Sequence, residues 1–168
     1  SGSRESNLKS NFDNGVTVEF WMQTGSLSTA KTEKQVILDV WNNEASSSVD
    51  YGRITIELTG VHPGTAGPTP ASPLIITVQS GAASASNAIF TSSIGIGLDA
   101  STLNTWKHYA LSFYNSGSDF VAKLYVDGAL NDKNIYASKK LGELTPKNVM
   151  GRIGALLTAP SGTATGGT

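Results

Sequence analysis

The stretch Trp106-Lys107-His108-Tyr109-Ala110-Leu111-Ser112-Phe113-Tyr114, followed by Asn115-Ser116-Gly117-Ser118 and then by Val121-Ala122-Lys123-Leu124-Tyr125-Val126-Asp127-Gly128, decides the fold. Apolar and polar residues alternate on both arms, and aromatic and β-branched types are abundant. The link between the arms is small and polar, so the whole reads as a β-hairpin. Tyr109, Leu111 and Phe113 fall on one face, as do Leu124 and Val126, and cross-strand pairs among them can form one wall of a core. Trp106, at the strand entrance, is expected to plug that core with its indole N–H held by a loop carbonyl. Asp127-Gly128 suits a tight turn, because glycine accepts positive φ and aspartate bonds to nearby backbone.

The same period extends along the chain. Val16, Val18, Phe20 and Met22 alternate with Thr17, Glu19, Trp21 and Gln23, so the first set should face the core and the second should face away. Residues 35–41 form a more continuous apolar run, whereas 53–58 and 74–79 alternate again. Segments 88–93 and 150–157 and the two hairpin arms bring the expectation to about eight strands, each bounded by Gly, Pro, Asn or Ser. No amphipathic helix stands out. The stretch 137–144 is interrupted by Gly142 and followed by Pro146, and reads as a turn. Residues 59–72 hold Pro63, Pro68 and Pro70, cannot form a ladder strand and should lie on the surface as a recognition loop or a tolerated insertion. Many short strands with turn-rich links predict an all-β antiparallel sandwich.

Composition narrows the function classes. The 168 residues make one domain the default, expected over 1–158, with 159–168 a small-residue flexible tail or linker. Charged residues are 15% of the chain and the net charge is −1, which leaves no broad basic face for nucleic acid. There is no cysteine, hence no disulfide or thiolate site. No apolar run approaches the roughly 20 residues needed to span a bilayer, so membrane insertion is not expected. Ser1-Gly2-Ser3 at the start and the small-residue run at the end read as the borders of an excerpt from a longer polypeptide.

Five motifs in order, Val16-Thr17-Val18-Glu19-Phe20-Trp21-Met22, Val36-Ile37-Leu38-Asp39, Trp106-Lys107-His108-Tyr109-Ala110-Leu111, Leu124-Tyr125-Val126-Asp127-Gly128 and Arg152-Ile153-Gly154, resemble the successive strand motifs of a laminin G-like domain of the concanavalin A-like lectin/glucanase superfamily. The resemblance covers most of the chain and implies an antiparallel jelly-roll β-sandwich. Such domains carry a closing strand after the last motif, with an acidic residue and aromatics. None is found here, so the expectation is a sandwich lacking a terminal strand, with one sheet edge open to another chain.

Catalysis finds little support. The glucanase pattern Glu-x-Asp-x-x-Glu is absent, and Glu19 and Glu57 are the two strand carboxylates left to meet across a sheet. His62 and His108, the only histidines, make no Ser-His-Asp arrangement. Calcium is the one cofactor left open: hard cations take six to eight oxygens, related domains bind calcium at the sandwich rim, and Asp39, Asp127 and Asp132 are the candidate ligands, with turn formation as the competing role. For sugar, an aromatic ring beside amide and carboxylate groups is wanted. Trp41, Asn42, Asn43, Asp50 and Tyr51 bracket a loop of those types, and Trp21, facing away from the core, is a second platform.

The leading expectation is a non-catalytic jelly-roll module of an extracellular or virion-surface protein, serving adhesion or assembly among other protein subunits, with a glycan as ligand. The alternatives are a purely structural capsid or tail decoration module that binds no sugar, and a glycan hydrolase.

Overall fold

The computed structural model describes residues 10–24, 34–59, 72–82, 84–85, 88–144 and 149–156. The proline-bearing loop with His62 and the terminal run 159–168 lie outside the described residues. In chain order the elements are β1 (Val16–Met22), β2 (Lys34–Trp41), β3 (Gly52–Thr59), β4 (Leu74–Ser80), β5 (Ile89–Ile94), the short helix α1 (Ala100–Leu103), β6 (Lys107–Ser116), β7 (Asp119–Val126), β8 (Ala129–Tyr136) and β9 (Met150–Ile153). They build two antiparallel sheets, one of four strands ordered β1-β6-β7-β8 and one of five ordered β5-β4-β3-β2-β9, stacked as a β-sandwich.

Period-two alternation places the core between them. From the four-stranded sheet come Val18 and Phe20 of β1, the fully buried Tyr109, Leu111 and Phe113 of β6, and Phe120, Ala122 and Leu124 of β7. Ile54, Ile56 and Leu58 of β3, Leu74, Ile76 and Val78 of β4, and Phe90 and Ile94 of β5 face them. Each such side chain removed from water contributes about 1.5–3 kcal/mol before entropy is counted. Phe12, ahead of β1, packs edge-on against Phe120 at 5.1 Å, and Phe90 does so at 5.0 Å.

The β6–β7 hairpin closes as expected, with Ser116 paired to Asp119 and Gly117 at φ 63°. Asp127 and Gly128 carry φ values of 50° and 81°, the doubly positive turn that joins β7 to β8. Trp106 departs from expectation: it is 65% exposed and plugs nothing. With Tyr109, Leu111 and Phe113 inward, alternation sends the even-numbered residues outward, and Trp106 belongs to that set.

The strand β8 was not legible as such, because its residues Asn131, Asp132, Lys133 and Asn134 are polar. Their work is to join the sheets. Asn134 donates to Ser92 Oγ at 2.7 Å and to the Ser93 carbonyl at 2.8 Å, while Asp132 Oδ2 accepts the amides of Gly95 and Ile96 at 2.9 and 3.0 Å. Gly95 sits at φ 108°, and a Cβ there would lie 2.9 Å from Leu98, so only glycine presents its amide in this way. Tyr136 against Phe90 at 5.7 Å extends the seam. One long side of the sandwich is thus stitched, β8 to β5; on the other side β1 ends its sheet with no described neighbour.

Candidate functional site

The loop between β2 and β3 was the first expectation for a sugar site, and the structure closes it. Trp41 is 2% exposed and Tyr51 5%, and the two form their own small buried cluster. The Trp41 indole donates to the Glu44 carbonyl at 3.1 Å, and the Arg53 guanidinium lies 6.0 Å from its ring centroid. Asn42 is buried as well: its Nδ2 donates to the Asp50 carbonyl at 2.6 Å, and its Oδ1 accepts the Gly52 amide at 3.0 Å. These bonds hold the loop ends together and account for the buried ring, which offers no face to a pyranose. Asn43, at φ 62°, stays exposed on the rim, and the Asp50 amide is held by Ser48 Oγ at 3.1 Å.

The candidate calcium ligands do not converge. Asp39, fully buried on the outer face of the five-stranded sheet, takes both arms of the Arg53 guanidinium at 2.8 and 2.7 Å. Burial alone would lower the Arg53 pKa, but the hydrogen bonds and charge of Asp39 outweigh it and drive it upward. Asp127 bonds to Lys107 Nζ at 2.7 Å and to the His108 amide at 3.0 Å, which holds its carboxyl below the usual range. Asp132 belongs to the β8–β5 seam. Among the described residues no group of three or more His, Asp or Glu side chains could hold a metal ion. Glu19 and Glu57, the carboxylates considered as a catalytic pair, stand in different sheets, Glu19 exposed and Glu57 buried, so they cannot meet across one sheet.

What the fold does bring together lies on the outer face of the four-stranded sheet. Trp21 of β1 pairs in register with His108 of β6, and their rings sit 5.4 Å apart, tilted by 46°. Trp21 is 66% exposed, and Trp106, two residues before His108 in the chain, is 65% exposed, so both indoles face water. Glu19 Oε2 lies 3.6 Å from His108 Nε2. Next along β6 come Ala110, flanked by Glu19 and Tyr125, and Ser112, flanked by Thr17 and Lys123. Their short side chains leave a low floor between taller walls. Tyr114 closes the row, with Lys123 Nζ 5.2 Å from its ring. Gln23 donates to the Asn104 carbonyl at 3.0 Å and the Thr24 amide to the Leu103 carbonyl at 2.8 Å, fixing the end of β1 against the loop that carries Trp106.

Chemically this surface offers stacking faces, a carboxylate beside an imidazole, and hydroxyl and amide groups at the margin. Of the expected site residues only Trp21 belongs to it. Trp106, His108, Glu19 and Tyr125 join it, and the signal for all of them was the outward parity class of β1, β6 and β7. No family model matches the chain, and no curated protein matches it.

Proposed function

We propose that this chain is a non-catalytic binding module of the laminin G-like, concanavalin A-like jelly-roll kind, carried by a surface or virion protein and contacting glycans through the Trp21–His108–Trp106 platform in adhesion. The observation that carries the reading is the pair of exposed indoles, Trp21 on β1 against the His108 ring and Trp106 in the loop that enters β6. A pyranose C–H face with hydroxyls at its edge matches exposed rings with Glu19 and Gln23 on the same face. The separation of Glu19 from Glu57 supports a binding role over hydrolysis.

The test is a glycan-array screen of the folded chain beside Trp21→Ala and Trp106→Ala. Saturable binding that both variants lose, with melting temperatures within about 2 °C of the parent because both rings are exposed, is the expected result. Binding that survives both substitutions, or no binding by the folded parent, refutes the reading.

A further inference from the structure

The unstitched side of the sandwich holds a cavity of about 380 Å³ between β1 and the β2–β9 edge, lined by the apolar Phe20, Met22, Val36, Ile37, Leu58 and Ile153 together with Trp21 and the polar Gln23, Thr24 and Gln35. Ile153 is 87% exposed. Among the described residues nothing covers this cleft, whereas the opposite side is sealed by the Asp132 and Asn134 bonds.

Hydrogen bonds elsewhere reveal which backbone groups border it. The His108 amide reaches Asp127 Oδ1 at 3.0 Å and its carbonyl accepts the Asp127 amide at 2.8 Å, so the main chain of His108 turns toward β7. The Asn115 amide, of the opposite parity, reaches the Phe12 carbonyl at 2.8 Å on the β1 side. Antiparallel strands alternate in this respect. Tyr109, Leu111 and Phe113 therefore turn toward β1 and make the hydrogen-bonded pairs with Phe20, Val18 and Val16. The amides and carbonyls of Thr17, Glu19 and Trp21 are left aimed at the free edge, and no described strand takes them.

We propose that β1 accepts one more antiparallel or parallel strand from a partner protein: an extended segment whose alternate apolar side chains enter the cavity and whose outward row carries a basic residue beside Glu19. This site is on the edge of the sheet rather than on its face; it shares Trp21 with the glycan platform but takes a different ligand, a peptide strand. A small apolar molecule fills the cavity but leaves the edge amides unmet. A peptide does both, since edge groups recur every second residue, about 6.8 Å, as do side chains on one face of a strand. Self-pairing of two copies about the middle of β1 sets Glu19 against its twin, and directly opposed like charges oppose it.

The experiment uses the full 168-residue chain, isotope-labelled and titrated with a capped peptide that alternates valine with threonine around a central lysine. A control peptide carries proline at alternate positions. The expected result is saturable binding of the first peptide alone, with amide exchange at Thr17, Glu19 and Trp21 slowed about tenfold or more while Val18 and Phe20 stay as they were. Thr17→Pro, which removes an edge donor but no β6 bond, and Ile153→Lys, at an exposed position, each fold and each weaken binding about tenfold or more. Absence of binding by the folded chain, equal binding of the proline peptide, or protection of the same amides by concentration-dependent dimerisation without peptide overturns the proposal.

Discussion

Replacing Tyr109 by phenylalanine should stabilise this protein. The ring is fully buried and stacks on Phe20 at 5.6 Å, yet its hydroxyl is buried with no hydrogen-bond partner. A stranded hydroxyl costs about 1–3 kcal/mol of lost hydration. Against this, removing the oxygen leaves a void of roughly 15 Å³, worth about 0.4 kcal/mol. The net gain is about 1–2 kcal/mol, a rise in melting midpoint of about 2–8 °C for a chain of this length. A second readout is the alkaline limb. Burial, followed by the charge of Asp127, pushes the phenol pKa up from 10.0. A raised folded-state pKa gives stability that is whole below the unfolded value and is lost as pH rises through the folded one. The parent should therefore weaken above about pH 10 by a term that Tyr109→Phe lacks, and the gap between them should widen there. Urea titrations followed by tryptophan fluorescence at pH 7 and pH 11 measure both. A variant less stable than the parent at pH 7 means that the hydroxyl is held, and refutes the reasoning.

Asp39→Ala should cost about 3–5 kcal/mol, because it takes the carboxylate from the partly buried Arg53 guanidinium and leaves Tyr51 to hold the charge, and adding Arg53→Met should restore part of the loss; a double-mutant cycle in urea reads both. Asn42→Ala, which frees the ends of the β2–β3 loop, should cost about 1–3 kcal/mol and raise exchange at the Gly52 amide. On acidification, Lys140 and Asn115 hold Asp13 down, Lys107 and His108 hold Asp127 down, and the amide and hydroxyls at the start of α1 hold Asp99 at about 2. Depressed carboxyl pKa values give stability that is present above the unfolded value and lost as pH falls through the folded one, so the urea midpoint should hold to about pH 4 and decline below it. Chelation should leave the melting temperature unchanged, since Asp39, Asp127 and Asp132 are each engaged by protein donors; a fall of several degrees would place a cation in the fold.

Strand positions were legible where one face meets the core and the other meets water, as in β1, β6 and β7. The register of exposure was legible too, although Trp106 was assigned by its size instead of its parity. β8 escaped because its inward residues serve the neighbouring sheet through hydrogen bonds, and polarity without alternation carries no strand signal. Trp41 and Asp39 were misjudged for a related reason: the outer face of the five-stranded sheet is itself buried around the Asp39–Arg53 pair, and nothing in the order of residues announces that an outward position is dry. The spread of the three aspartates is a matter of tertiary placement, which sequence proximity to Asn and Gly could not supply.

The pairing of β1 with β6 joins Thr17 to Ser112, 95 residues apart, whereas β2 to β5 and β6 to β8 are runs of neighbouring hairpins. Local pairings close early and distant ones pay their loop entropy late. During synthesis, β1 leaves the ribosome before any strand it can pair with and waits until β6 follows. The strand whose outer edge has no neighbour among the described residues is also the one that spends longest without a partner on the way there, so chaperones meeting the nascent chain should find Val16–Met22 exposed, and slowing elongation before β6 should raise aggregation more than slowing it after β8.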